Sequence, residues 1–278
     1  MIADAQVHVW AADSPERPWI PGGADYAHSS TPLTAADLLS EMDRVGVHRA
    51  LLVSPTWEGD RNDVVIKAAE DHPDRLSVIG RFDLRDEGNA RLVREWSSDS
   101  RVSGIRTVFA KRSESWMRDG SAEWLWPLLA ELAMPVMIYA PYQYSGVEAI
   151  AARYPSLKIA ICHFGLDTKL RDAEIPPQVD ALLPLSELPN IAVKATSLPS
   201  FYTEPYPFPS LQRELRRVLE AFGPERVFWG SDLSRLRCDY SDLYRLFTEE
   251  LDFLSPGDLE LIMGDAVCNW FDWPTADQ

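Results

Sequence analysis

The stretch IADAQVHVW, residues 2–10, places three polar side chains in an otherwise apolar run. Asp4, Gln6 and His8 are spaced by two, so in a β-strand all three side chains point to one face. A buried polar group without a hydrogen-bond partner costs about 2 kcal/mol or more. The stretch therefore predicts a polar site at this strand rather than an ordinary core strand.

Polar side chains also stand at the ends of other strand-like runs, seven of eight in all. Each has an ordinary structural explanation when taken alone, because a lone buried histidine is usually a core group and an aspartate after Gly-Ser often caps a helix. Their coincidence at strand ends is better explained by one shared pocket. The set comprises Gln6, His8, Arg81, Asp83, Arg106, Tyr139, Tyr142, His163, Lys194, Ser231 and Asp232.

The elements that must position these residues alternate between short apolar runs and amphipathic helical segments. Apolar strands indicate a parallel sheet buried on both faces. No G-x-G-x-x-G follows any strand, which argues against an open dinucleotide-binding sheet. We therefore predict a single α/β domain over residues 1–278, a (β/α)₈ TIM barrel whose C-terminal strand ends meet at one mouth. The predicted strands are residues 2–10, 49–55, 76–83, 102–109, 135–141, 157–165, 191–198 and 226–234.

Two long connections are predicted to rim that mouth. They are AKRSESWMRDGS after the fourth strand and PSFYTEPYPFP after the seventh. Thr34 is a predicted helix N-cap, residues 255–270 are predicted to form the last helix, and PTADQ, residues 274–278, is predicted to be a frayed tail.

Composition narrows the class of partner. The chain has 27 Lys and Arg against 43 Asp and Glu, a formal net charge of −16 that would repel nucleic acid. Its three cysteines lack CxxC spacing, so neither a disulfide framework nor a cysteine zinc site is predicted. No basic leader follows Met1, and the longest apolar runs are too short to span a bilayer. We expect a cytoplasmic protein with a small-molecule substrate and no membrane partner, and a homo-oligomer remains open.

The quoted motifs resemble the amidohydrolase superfamily, in particular its lactonase-like, amidohydrolase-related branch of TIM-barrel hydrolases. The similarity runs along nearly the whole chain. The family's D-x-H-x-H-x-W strand matches Asp4, Gln6, His8 and Trp10, and its "GIR" strand matches residues 104–106. Its DH-x-G strand matches residues 162–165, its strand-seven lysine matches Lys194, and WGSD matches residues 229–232.

Three departures from the family pattern weaken a metal site. Gln6 replaces the first histidine of the metal-binding pair, Cys162 replaces an aspartate, and Tyr139 stands where binuclear members place a bridging ligand. A neutral amide is a weak zinc ligand. The resemblance also implies members that hydrolyse without a metal, so no metal is favoured here. The alternative is a single zinc ion held by His8, His163 and Asp232.

The resemblance and the residues together favour opening of a lactone by water. Asp232 is the predicted general base, and His8, His163 and Gln6 are predicted to stabilise the oxyanion, with His163 protonating the leaving oxygen. Arg106, Arg81 and Lys194 are predicted to bind a carboxylate of the substrate, and Tyr139 and Tyr142 to cover the substrate ring. The alternatives are a metal-dependent decarboxylase of the same superfamily and a ligand-binding barrel that has lost catalysis.

Overall fold

Eight parallel strands form one sheet in chain order. The computed structural model describes residues 1–273, so the predicted tail at 274–278 lies outside the described residues. All eight predicted strands are present, and the single barrel is confirmed. The strands are β1 (Ala3–Val7), β2 (Arg49–Val53), β3 (Leu76–Gly80), β4 (Val102–Val108), β5 (Val136–Tyr139), β6 (Ile159–Ile161), β7 (Ile191–Thr196) and β8 (Val227–Gly230).

Helices surround the sheet and pack their apolar faces against it. Thr34 caps the first of them as predicted: its side chain accepts from the Asp37 amide, and the Asp37 carboxylate accepts from the Thr34 amide. The α-helices are α1 (Ala35–Val45), α2 (Asp63–Asp71), α3 (Ala90–Trp96), α4 (Leu125–Glu131), α5 (Tyr144–Arg153), α6 (Ile175–Leu182), α7 (Pro209–Phe222), α8 (Tyr240–Arg245), α9 (Pro256–Glu260) and α10 (Ala266–Trp270).

The last predicted helix, residues 255–270, is divided. A π-helical turn at Leu261–Asp265 separates α9 from α10, and Gly264 in this turn lies directly against the backbone of Met1. A side chain at residue 264 would collide with that backbone, so the sequence must carry glycine there. In residues 1–273 we find no helix long and apolar enough to cross a membrane. Cys162, Cys238 and Cys268 are free thiols.

The seam between β1 and β8 is tied by the first polar residue of the opening stretch. Asp4 is fully buried, and its carboxylate accepts hydrogen bonds from the Ser231 amide and hydroxyl and from the Tyr240 hydroxyl. Close by, the Asp232 amide donates to the Gln6 carbonyl oxygen at 2.9 Å. Asp4 therefore stabilises the barrel beneath the mouth, and it does not line the cavity described below.

Several strands end earlier than the apolar runs predict. The predicted sixth strand extends to residue 165, but β6 stops at Ile161, and the predicted eighth strand extends to residue 234, but β8 stops at Gly230. His163 and Asp232 follow these strands with φ of 54° and 49°, in the left-handed region that L-residues rarely adopt. This turn out of the strand directs their side chains across the barrel mouth.

Candidate active site

A large cavity opens at the C-terminal ends of the strands. Its volume is about 1360 Å³, and its floor is formed by Gln6, His8, Arg106, His163 and Asp232. The loop after β4 lines it as predicted, through residues such as Trp116. The predicted rim PSFYTEPYPFP does not contribute to the lining within residues 1–273. The loops after β6 and β8 line the cavity instead, through residues such as Asp167 and Ser234.

Asp232 supplies the carboxylate of this floor and is buried, with 1% of its surface exposed. Its Oδ1 lies 3.2 Å from His8 Nε2, and its Oδ2 lies 3.8 Å from His163 Nε2. Burial by itself would raise the pKa of Asp232. The contact with His8, helped by the nearby His163 and His28 rings, outweighs it and holds this pKa well below its ordinary value. Asp232 is therefore a carboxylate at neutral pH.

His8 is held by the strand beside it. Its Nδ1 lies 2.6 Å from the Val53 carbonyl oxygen, which can only accept, so Nδ1 carries a proton and donates it. Its Nε2 faces the Asp232 carboxylate, which also only accepts. A favourable contact there requires either a second ring proton on His8 or a cation between the two groups.

His163 has the opposite hydrogen-bond pattern at Nε2. Its Nδ1 lies 2.7 Å from the Thr196 hydroxyl, which can donate or accept, and 3.1 Å from the Thr196 carbonyl oxygen, which only accepts. Because the contacts of Gln6 with Lys194 and Arg106 turn its NH₂ toward His163, Nε2 accepts and Nδ1 carries the proton of the neutral ring. The Gln6 amide nitrogen lies 3.2 Å from that Nε2. Burial holds the pKa of His163 well below its ordinary value, against the charge of Asp232, so the ring is neutral.

The orientation of the Gln6 amide is fixed by two cations. Lys194 Nζ donates to Gln6 Oε1 at 2.6 Å, and Arg106 Nη1 donates to the same oxygen at 2.9 Å. Neither cation can accept a hydrogen bond, so the amide oxygen must face them and the amide NH₂ must face His163. Gln6 was predicted from the sequence to donate to substrate, whereas in the structure its NH₂ donates to His163.

This arrangement fits a metal ion poorly. The His163 Nε2 lone pair is used by Gln6, which leaves His8 and Asp232 as free donors where an open zinc site needs three protein ligands. Within residues 1–273 no three His, Cys, Asp or Glu side chains are arranged to hold a metal ion. The alternative site of His8, His163 and Asp232 is thus not preformed.

The residues predicted to bind substrate divide into two groups. Arg106, Arg81, Tyr139 and Tyr142 line the cavity, with Tyr142 exposed at the mouth. Lys194 is fully buried and is not among the described residues that line it. Its position in the middle of β7, rather than at the strand end, explains why it points into the barrel below the cavity.

Two cavity residues were missed by the sequence analysis. His28, in the loop after β1, lines the wall with its ring centroid 5.7 Å from that of His8. Arg235, in the loop after β8, also lines the cavity, and its guanidinium lies 4.8 Å from the centre of the Phe201 ring. Its buried Nη1 has no hydrogen-bond partner in the part of the chain that the structure describes. Neither residue stands at a strand end, so the strand-end pattern did not indicate them.

Comparison with known proteins agrees with this geometry. A sequence profile described as amidohydrolase matches residues 3–266. An L-fucono-1,5-lactonase of Burkholderia ambifaria is 28% identical over 291 residues, covering 99% of this chain and 97% of that protein. A 4-sulfomuconolactone hydrolase of Rhizobium radiobacter is 27% identical over 218 residues, covering 74% of this chain and 67% of that protein.

Solved structures share the fold. A crystal structure of an amidohydrolase from Burkholderia multivorans with bound zinc superposes with a TM-score of 0.80 at 20% identity, covering 99% of this chain and all of that one. The profile match extends over most of the barrel, from β1 into α10, and therefore includes every residue of the cavity floor. The chain belongs to the amidohydrolase family and is a hydrolase with lactonases among its relatives.

Proposed function

We propose that this protein hydrolyses a lactone, with Asp232 as the base that activates water. The observation that carries the proposal is the floor of the cavity, where one ionised, buried carboxylate faces two imidazole rings at 3.2 Å and 3.8 Å. Acyl transfer to water needs a proton acceptor and a donor for the developing oxyanion. The lactonases among the relatives support the same reaction class.

The steps can be assigned to named atoms. Asp232 takes a proton from water as the water oxygen bonds to the lactone carbonyl carbon. A doubly protonated His8 stabilises the oxyanion that forms. When the ring C–O bond breaks, the leaving alkoxide takes the second ring proton of His8. His163 was predicted from the sequence to donate this proton, but its Nε2 accepts from Gln6 and carries none.

The substrate class follows from the lining. Arg106 and Arg81 offer guanidinium groups suited to a carboxylate or another small anion, and Tyr139 with Tyr142 provides aromatic surface for a ring. We propose a small cyclic ester with an anionic substituent as substrate. The reaction proceeds without a tightly bound metal, in keeping with the two free donors available.

The test is turnover of a panel of γ- and δ-lactones, each in a neutral and a carboxylated form, by protein treated with a chelator. Release of the carboxylic acid is followed with a pH indicator. The proposal predicts hydrolysis of at least one carboxylated lactone at an unchanged rate after chelation.

Three outcomes contradict it. Loss of hydrolysis on chelation with recovery on adding zinc would favour the metal-dependent reaction. Tight binding of lactones without turnover would favour a binding protein. Release of carbon dioxide from an aromatic carboxylate, dependent on added metal, would identify the decarboxylase alternative.

A further inference from the structure

One side of the cavity, the basic wall, carries four cationic side chains from the loops after β6 and β8. They are Lys169, Arg171, Arg235 and Arg237, and none of them forms an ion pair with an Asp or Glu in the part of the chain that the structure describes. Acidic residues outnumber basic ones by 43 to 27, so partners are not scarce. Elsewhere at the mouth Arg85 lies 2.6 Å from Asp83, and Arg81 lies 3.6 Å from Asp60. Folding therefore leaves the positive charge of the basic wall uncompensated.

Two guanidinium groups of this wall are held side by side by one carbonyl oxygen. Arg171 Nη1 donates to the Thr168 carbonyl oxygen at 2.9 Å, and Arg235 Nη2 donates to the same oxygen at 3.4 Å. Burial lowers the pKa of Arg235, and the like charges of Arg171 and Arg237 act in the same direction, against the charge of Asp232. Neighbouring guanidinium groups repel each other, and an anion bound against both relieves the repulsion.

This arginine pair also has donors to spare. Within residues 1–273, the hydrogen bonds that Arg171 donates from its side chain all come from Nη1, so Nε and Nη2 are left for a ligand. Arg235 Nη1 is likewise without a hydrogen-bond partner among the described residues. A guanidinium fork with open donors matches the oxygens of an anionic ligand.

The arginine pair stands one aromatic ring away from the reacting groups. The Tyr139 hydroxyl accepts from the Thr168 amide at 3.3 Å, and the Tyr139 ring centroid lies 5.7 Å from that of His163. In the strand order, β6 and β8 lie across the barrel from β3, which Arg81 follows. A ligand group at the arginine pair thus leaves Arg81 free, and a cavity of about 1360 Å³ has room for both.

The number of donors and charges favours a phosphate monoester over a carboxylate at this wall. A carboxylate has two oxygens, which one bidentate arginine can occupy. A phosphate monoester has three terminal oxygens and a charge of about −1.5 to −2 at pH 7, so it can accept from two guanidinium groups at once. Lys169 and Arg237 add positive charge around the pair, and Asp167, which lines the cavity from the loop after β6, offsets one of the four charges.

We propose that Arg171 and Arg235 form a second anion subsite, which binds the phosphate group of a phosphorylated lactone whose carbonyl lies over Asp232. The subsite rests on the proposed lactone hydrolysis and narrows its substrate. The phosphate takes no part in the reaction and is carried unchanged from the lactone to the hydroxy acid.

The first test measures binding without turnover. Isothermal titration calorimetry with inorganic phosphate, and with one hydroxy acid in phosphorylated and unphosphorylated form, compares wild type, Arg235→Met, Arg171→Met and Arg85→Met. Wild type is expected to bind the phosphorylated acid at least about 10-fold more tightly than the other, and each variant of the pair to lose about 10-fold or more in phosphate affinity. Arg85→Met is the matched control: Arg85 lines the same cavity but is already paired with Asp83, so affinity should stay within about 3-fold of wild type.

The second test compares hydrolysis of one δ-lactone with a hydroxymethyl substituent, with that hydroxyl phosphorylated, and with carboxylate in its place. Wild type should show its highest kcat/KM on the phosphate ester. Arg235→Met should raise KM for that ester by about 10-fold or more, with little change on the hydroxymethyl lactone, and Arg235→Lys should keep part of the affinity. Circular dichroism shows whether each variant is folded, and because Arg171 and Arg235 lie on different loops, either one tests the subsite if the other variant does not fold.

The proposal is overturned if phosphate affinity is the same in both Met variants of the pair as in wild type, or if wild type prefers the carboxylated lactone. Inorganic phosphate that binds at the pair without any preference for the phosphorylated lactone would also overturn it, by identifying a site for free phosphate. Its failure is distinct from failure of the proposed function. A protein that binds the phosphorylated acid through this pair but opens no lactone keeps the subsite, whereas turnover of carboxylated lactones with phosphate affinity indifferent to both arginines removes only the subsite.

Discussion

Replacing Asp232 by asparagine tests the central chemical step. The amide keeps the volume of the side chain and can still accept a hydrogen bond from His8, so the fold and substrate binding should survive. The amide cannot take a proton from water. Losing a positioned base lowers kcat by about 10²- to 10⁴-fold, equivalent to about 3–5 kcal/mol of activation free energy. A capping role does not compete, because the Asp232 side chain makes no capping hydrogen bond in the structure.

The assay is kcat and KM on the best lactone of the panel, with Asp167→Asn as the matched control. Asp167 also lines the cavity, and the one side-chain hydrogen bond found for its carboxylate among the described residues is from the Lys169 amide at 3.0 Å. The control should stay within about 3-fold of wild type, the scale of a surface substitution that leaves the base in place. An Asp232→Asn enzyme with near-normal kcat would remove Asp232 as the base. The proton would then have to be taken by a histidine of the floor, His8 or His163.

Three further changes have expected outcomes. Arg81→Met should raise KM for a carboxylated lactone by about 10-fold or more and leave a neutral one nearly unchanged, since the proposed charge-assisted hydrogen bond to the carboxylate is lost; equal effects on both would exclude an anion contact. Burial lowers the pKa of His28 to about 4 from 6.5, so the unfolded chain binds its proton first as pH falls. As the pH is lowered from 6.5 to 4.5, the unfolding free energy of wild type should fall by about 2–3 kcal/mol more than that of His28→Asn. Urea titrations at the two pH values measure this difference. Gly230→Ala should destabilise by about 1–3 kcal/mol, because its Cβ would lie 2.9 Å from Asp4 Oδ1 and the Ala5 amide; Gly257→Ala, with open space around it, is the control for urea unfolding.

The barrel was predictable because its strands are buried on both faces, which makes each one a short apolar run in the sequence. The same topology brings the strand ends to one mouth, so residues as distant as His8 and Asp232 could be placed together from their positions alone. Strand lengths were less predictable. His163 and Asp232 belong to runs that look like strand, but their left-handed backbone is set by the turns that follow.

What the sequence could not show depends on side-chain contacts between strands. Lys194 and Arg106 read equally well as substrate anchors, because both are basic residues in strands that face the barrel interior. Only the depth of each side chain separates them: Arg106 reaches the cavity, whereas Lys194 ends on Gln6 below it. His28 and Arg235 lie in loops without sequence periodicity, so no pattern indicates which way their side chains point.

The substitution of one ligand in a metal-binding pair need not disable a hydrolase if the site gains a charge of its own. Gln6 removes an imidazole from the floor, and a neutral amide alone would leave Asp232 without a nearby cation on that side. Arg106 and Lys194 both donate to the Gln6 amide oxygen, which fixes the orientation of the amide and directs its NH₂ toward His163. Their positive charges also offset the charges of the buried carboxylates. A site organised in this way has its electrostatics set by folding rather than by metal supply, since its charged groups are covalently part of β4 and β7.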